Sequence, residues 1–263
     1  MIVARDLYVS YGKKPVVKGA CLEARAGELT AIIGPNGSGK TSLLRALSGE
    51  VKYQGSANLN AMEVNRTSAP LMATHRGVLP QFSNVSFPFT VGEIVRMGMT
   101  IGYSGSDNFK AADRVLQALD KVGLSEFVGR KYQELSGGEQ QRVQFARVLS
   151  QVWEPVFEGV PRWLFLDEPI SSLDIQHQLT IMNLSREFSQ SGGGVISILH
   201  DLNLTAMYAD QIILMRDGQI MRAGEPSYVL QDSILETAFG CALRVGKTPP
   251  AGQQFVLPQS VAI

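Results

Sequence analysis

The residues best equipped for chemistry crowd into one short stretch, Gly34-Pro35-Asn36-Gly37-Ser38-Gly39-Lys40-Thr41. Its spacing fits G-x-x-x-x-G-K-[ST], a loop that cradles phosphate groups. Glycines let the backbone curl until successive N–H groups point inward at an anion. A helix that starts where the loop ends adds its positive dipole end and its unpaired N–H groups at the same spot. Lys40 supplies a mobile charge for the outer phosphates, and the Thr41 hydroxyl can ligate Mg²⁺. Ser42 continues the first helical turn and joins the candidate phosphate-binding set. The competing reading, a glycine-rich turn with a chance Lys-Thr pair, is disfavoured by the flanks described below.

Two more groups stand farther along. The apolar run Trp163-Leu164-Phe165-Leu166 ends in Asp167-Glu168-Pro169. A carboxylate after a buried strand and beside a phosphate loop is placed to hold Mg²⁺ through water, the reading taken for Asp167. Without the loop it would read as a helix cap. Glu168 is the candidate to orient or deprotonate an attacking water. Ser136-Gly137-Gly138 combines a hydroxyl, backbone N–H groups and the start of a helix, which makes a second anion site.

The elements that must position these residues show as punctuated apolar runs. Leu29 to Ile33 is short and continuously apolar, as a strand buried on both faces should be, and a helix begins by Ser42. Residues 2–9 and 16–30 read as strands, the latter broken by a turn at 25–28, and 49–59 reads as strand and turn. The chain is thus β-rich to about residue 80, with a polar connection over 58–73. Val78 to Gln81 reads as a strand ending at a glutamine, 82–90 as irregular, 91–97 as the start of a helix and 98–108 as a glycine/serine loop. In 109–122, Ala112, Val115, Leu116, Leu119 and Val122 recur at helical spacing, and Gly123 sits where a C-cap glycine belongs. Another helix follows Leu135, with Val143, Ala146, Leu149 and Val152 on one face. Residues 83–155 therefore read as a helical insertion. Residues 175–190, 202–208 and 226–240 read as helices, 195–199 as a buried strand ending at His200, and Asp217-Gly218 as a hairpin turn. This alternation predicts a mainly parallel α/β sheet. Its C-terminal edge would gather Gly34, Gln81, Asp167 and His200.

With 263 residues the chain is long enough for a substantial core. Its 24 Lys+Arg balance 24 Asp+Glu, so no basic excess points to nucleic acid. Cys21 and Cys241 lie in no metal-ligand spacing and read as reduced thiols. No apolar run approaches the ~20 residues of a spanning helix, and the N-terminus has no secretory signal pattern. Cytoplasmic character follows as an expectation, with any membrane role exercised through a partner.

GPNGSGKT (34–41), Gln81, LSGGEQQ (135–141), WLFLDEP (163–169), SSLD (171–174) and His200 together resemble the ATP-binding cassette ATPases over nearly the whole chain. The resemblance implies a P-loop NTPase core with an N-terminal antiparallel β subdomain and an inserted helical subdomain. An ATPase domain would span 1–240, with a tail over 241–263. It implies ATP and Mg²⁺ as ligands, with Thr41, Gln81 and Asp167 around the metal. His200 resembles the switch histidine that contacts the γ-phosphate, and Gln81 the residue that senses Mg²⁺ and the attacking water. Tyr11 resembles the aromatic that stacks on adenine; a half-buried strand-end tyrosine is the competing reading. Ser136, Gly137, Gly138 and Glu139 would close on ATP held by a second copy, in a head-to-tail homodimer. Partners implied are transmembrane permease subunits and, indirectly, a periplasmic substrate-binding protein, at the cytoplasmic face of a bacterial inner membrane.

Position 170 is Ile where that family commonly has Thr, a change expected to tune packing. Asp167 lies 31 residues beyond Ser136, a long spacing that matches the stretch Trp153 to Trp163. With DIQHQ (174–178) and LHDLNL (199–204), this resembles the bacterial haem-import ATPases; siderophore and cobalamin importers share the last two segments. Other readings are a soluble cassette acting on ribosomes or DNA, which usually carries two cassettes or basic extensions, and a non-catalytic module, which Lys40, Asp167, Glu168 and His200 argue against. An exporter subunit would often be fused to spanning helices.

Overall fold

The computed structural model describes residues 1–83, 85–102, 108–250 and 252–260. The chain opens with β1 (Ile2–Tyr11) and β2 (Lys14–Ala24), an antiparallel pair, followed by β3 (Leu29–Ile33) and helix α1 (Lys40–Leu47). Then come β4 (Gln54–Leu59), β5 (Met62–Glu63), α2 (Ala69–His75) and β6 (Arg76–Leu79). Helices α3 (Val91–Gly102), α4 (Asn108–Lys121) and α5 (Gly137–Gln151) form the helical layer. A small hairpin, β7 (Val156–Phe157) and β8 (Val160–Pro161), precedes β9 (Trp163–Asp167). The chain continues through α6 (Ile175–Gln190), β10 (Gly194–Ile198), α7 (Leu202–Tyr208), β11 (Gln211–Arg216), β12 (Gln219–Gly224), α8 (Pro226–Val229) and α9 (Asp232–Phe239).

The central sheet has six strands in the order β12-β11-β3-β10-β9-β6, all parallel except the edge strand β12. A second, antiparallel sheet has the order β2-β1-β4-β5. Successive side chains on a strand face opposite ways. Leu164, Leu166, Val195, Ile212 and Leu214 accordingly pack toward the layer that contains α5 and α6. Trp163, Phe165, Ile196, Ile198, Ile213 and Met215 pack toward α1 and the antiparallel sheet. Full burial of such side chains stabilises by about 1.5–3 kcal/mol each, so both faces of the central strands are held.

The structure departs from the sequence reading in several places. Residues 58–73, read from sequence as a polar connection, contain β5, a 3₁₀ turn over Val64–Arg66 and most of α2. Only Met72 and Ala73 of α2 are buried, too few to set a period. The loop expected over 98–108 is helical through Gly102; residues 103–107 of that expectation lie outside the described residues. Gly98 sits where α3 packs on α5: a Cβ there would overlap the Arg147 carbonyl oxygen. The glycine serves close helix packing, not a turn. In α4, Val115 and Leu119 are buried as expected, as is Val122 just beyond it, whereas Ala112 and Leu116 are exposed and Ala118 takes an inward position. The helix expected over 226–240 is two, separated where Leu230 leaves helical geometry (φ −83°, ψ 76°). Ile170 is 7% exposed and packs in the core.

The Trp153–Trp163 stretch docks its hairpin on the β4–β5 turn. Asn60 Nδ2 donates to the Pro161 carbonyl at 2.6 Å, and Trp163 Nε1 donates to Asn60 Oδ1 at 3.2 Å. Arg162 stacks on Phe157, 4.5 Å from the ring centroid. In the C-terminal tail, Gln259 Nε2 donates to the Asn203 carbonyl of α7 at 3.0 Å.

Candidate active site

Four neighbouring parallel strands deliver the site. β3 runs directly into Gly34, β10 reaches His200, β9 ends at Asp167 before Glu168, and β6 leads to Gln81. All four residues lie at the carboxyl edge of the sheet, where α/β folds place ligands.

The phosphate loop is shaped by its contacts with the chain around it. Gly34 has φ 143°, and a Cβ there would overlap the Met215 carbonyl oxygen of β11. The β11–β12 turn braces the loop further, with Gly218 N–H donating to the Ser38 carbonyl at 3.1 Å. Ser38 N–H donates to the Pro35 carbonyl at 3.2 Å, closing the turn. Helix α1 begins at Lys40, earlier than expected from sequence, so Lys40, Thr41 and Ser42 all lie in its first turn. Lys40 Nζ donates to the carbonyls of Gly34 (2.9 Å) and Pro35 (3.0 Å). Burial pushes the Lys40 ammonium below its usual pKa, and the charges of Glu168 and Asp167 oppose that shift.

A cleft of about 210 Å³ lies over the loop, lined by Val16, Asn36, Gly37, Gly39, Lys40, Thr41, Ser42 and Glu168. It unites the phosphate-loop side chains with Glu168. Val16, on β2, was not anticipated; nothing in its sequence context marks it. Tyr11 stands 49% exposed at the end of β1 and does not line this cleft.

Asp167 is 4% exposed, and its Oδ1 accepts a hydrogen bond from Thr41 Oγ1 at 3.2 Å. Burial raises its pKa to about 6, against the opposing pull of the Thr41 hydroxyl. Thr41, Gln81 and Asp167 share a second cleft of about 150 Å³ with Arg45, Glu50 and Phe82. These hard oxygen donors suit Mg²⁺. A buried carboxylate with a raised pKa is one whose charge a cation would compensate. Among the described residues no group of three or more His, Cys, Asp or Glu side chains could hold a metal by itself. The oxygens of Thr41 and Asp167, with Gln81 on the same cleft, fit a hard divalent cation.

Glu168 Oε1 pairs with His200 Nε2 at 2.7 Å. Its backbone sits at φ 53°, in the left-handed region. Ser136 caps α5 in a reciprocal arrangement. Its N–H and hydroxyl donate to Glu139 Oε2 (2.7 and 2.8 Å), and Glu139 N–H donates back to Ser136 Oγ at 3.4 Å. These bonds hold the Glu139 carboxyl below its usual pKa. Gln81 also lines a third cleft, about 310 Å³, shared with Gly137, Gln140, Gln141 and Ser172. Gln81 thus stands between the Thr41–Asp167 wall and the start of α5. Within one chain Ser136 and Gly138 line neither the phosphate-loop cleft nor the Asp167 cleft.

A parallel sheet with a phosphate loop after one strand and an Asp-Glu pair after another is a P-loop NTPase core. The chain belongs to the ABC transporter family, whose model matches residues 17–171. The hemin import ATP-binding protein HmuV of Mesorhizobium japonicum is 55% identical over 99% of both chains. That of Jannaschia sp. is 52% identical over 98% of this chain and 94% of its own. The dimeric post-hydrolysis structure of the ATP-binding cassette MJ0796 bound to ADP and Pi superposes with a TM-score of 0.75 at 26% identity, covering 86% of this chain and 99% of that one.

Proposed function

We propose that this chain is the ATP-hydrolysing motor subunit of an import complex for haem. One observation carries the reading: Glu168, paired with His200, opens onto the cleft that Lys40 and Thr41 line, in a chain 55% identical to a hemin import ATP-binding protein. The phosphate loop, Gly34 to Ser42, holds the ATP phosphates, and Tyr11 stacks on the adenine. Thr41 and Asp167, with Gln81, would hold Mg²⁺, which when bound neutralises phosphate charge. Glu168 orients the attacking water and accepts its proton, and His200 holds that carboxylate and the γ-phosphate in register.

Two chains pair head to tail, each Ser136, Gly137, Gly138 and Glu139 covering the ATP on the other's phosphate loop. The dimeric structures of the MJ0796 cassette support a dimer of such chains. Binding closes the pair and hydrolysis releases it, and that motion drives a separate permease. Residues 1–240 form the motor, with 83–155 as its helical subdomain and 241–263 as a tail. Among the described residues no helix is long and apolar enough to cross a membrane. This fits a peripheral subunit at the cytoplasmic face of a bacterial inner membrane, served from outside by a substrate-binding protein.

The test is haem uptake and ATP turnover by the complex of this chain with its permease. Parent complexes should take up haem with ATP consumed, and Glu168→Gln should bind ATP but turn over at least ~100-fold more slowly. Uptake of an iron–siderophore but not haem would overturn the substrate, and full turnover in the variant would overturn the role of Glu168.

A further inference from the structure

A non-glycine residue at φ 53°, as Glu168 is, persists only where its surroundings impose that geometry. Here they converge on its carbonyl oxygen. Gln141 Nε2 donates to it at 2.9 Å, and Ser171 adds its N–H at 3.4 Å and its hydroxyl at 3.2 Å. Gln141 Oε1 accepts in turn from the Ser172 N–H at 3.4 Å and from the Ser172 hydroxyl. A backbone N–H only donates and a carbonyl only accepts, so the orientation of this amide is set by its partners. Neighbouring glutamines make different bonds. Gln140 holds the carbonyls of Tyr132 and Leu135, and Gln178 those of Ile170 and Leu173.

Gln141 lies in α5, about 7.5 Å along the helix from its cap Ser136. Under the function proposed above, on which this inference rests, that cap meets ATP held by the second copy, while Glu168 acts on ATP held by its own chain. We infer that Gln141 is a positioning residue that couples the two nucleotide sites of the dimer. When the start of α5 engages the second copy's ATP, the Gln141 amide carries the shift to the Glu168 backbone and brings its carboxylate into line. Hydrolysis at one site then depends on occupancy of the other.

Gln141→Glu tests this in the full-length chain. The side chain keeps its size and still accepts from Ser172, but it turns a carboxylate oxygen toward the Glu168 carbonyl. The expected result is a kcat lower by about 10- to 100-fold, a KM for ATP within about twofold of the parent, and a Hill coefficient that falls from above 1 to about 1. A purely structural role would instead lower melting temperature and ATP affinity together. Should Gln141→Glu fail to fold, Ser172→Ala removes the hydroxyl at the other end of the amide and must move kcat and the Hill coefficient the same way. Parent-like kcat and cooperativity in the variant, a lower kcat with unchanged cooperativity, or a parent without cooperativity would each overturn the coupling. Glu168→Gln separates the two readings. If it hydrolyses ATP normally, the proposed function fails; if it is inactive while Gln141→Glu behaves as parent, only the coupling fails.

Discussion

His200 and Glu168 meet at 2.7 Å, Nε2 to Oε1, from the ends of adjacent strands β10 and β9. The Glu168 side chain is 17% exposed and that of His200 is 42% exposed. The carboxylate is thus sheltered, and the histidine paired with it faces the open side. Asp201, the next residue, caps α7 by accepting from the N–H groups of Asn203 (2.7 Å) and Leu204 (3.0 Å). The backbone that carries His200 is therefore anchored on both sides, by a strand and by a capped helix.

His200→Ala should lower kcat for ATP hydrolysis about 100-fold, because Glu168 loses the partner that fixes its direction. ATP binding, measured by fluorescent-nucleotide titration, should stay within about threefold, since the phosphate loop is untouched. Parent-like turnover in this variant would remove His200 from the site.

Asp167 makes a prediction about stability. Its pKa is raised from 3.8 to about 6 in the fold. Between those values the folded chain binds more protons at this site than the unfolded chain. The contribution of Asp167 to stability is therefore full at low pH and is lost as pH rises through about 6. Asp167→Asn keeps an acceptor for the Thr41 hydroxyl and removes the buried charge. In metal-free buffer at pH 7.5 it should melt a few degrees higher than the parent, while ATP turnover collapses. Calorimetry from pH 4 to 8 checks the sign: the gap between variant and parent should widen as pH rises and close near pH 4. A gap that widens toward low pH would contradict the assignment.

Gly34→Ala should abolish ATP binding and destabilise the chain by about 2–4 kcal/mol, since the added methyl overlaps the Met215 carbonyl at an unfavourable φ. Urea denaturation and nucleotide titration check both halves.

Much of this site was legible because each residue follows a short apolar run that stops abruptly. Ile33, Leu79, Leu166 and Leu199 each precede, directly or at one remove, the candidates Gly34, Gln81, Asp167 and His200. Buried parallel strands produce that punctuation. What stayed hidden depends on contacts distant in sequence. Gly98 reads as a loop residue until Arg147 of α5 is seen against it. Val16 becomes part of the cleft only when β2 folds over the phosphate loop. Gln141 lies within the LSGGEQQ motif, but its bonds to Glu168 and Ser172, 27 and 31 residues away, leave no local signal.

The central claim is that one chain holds half of each nucleotide site. Light scattering of Glu168→Gln tests it most directly, with saturating ATP and Mg²⁺ and bound nucleotide measured in the same sample. Head-to-tail closure predicts the mass of two chains with ATP bound, the mass of one chain without it, and the mass of one chain again when Ser136→Arg is added. ATP-loaded protein that keeps the mass of one chain, or a dimer indifferent to Ser136→Arg, would contradict it.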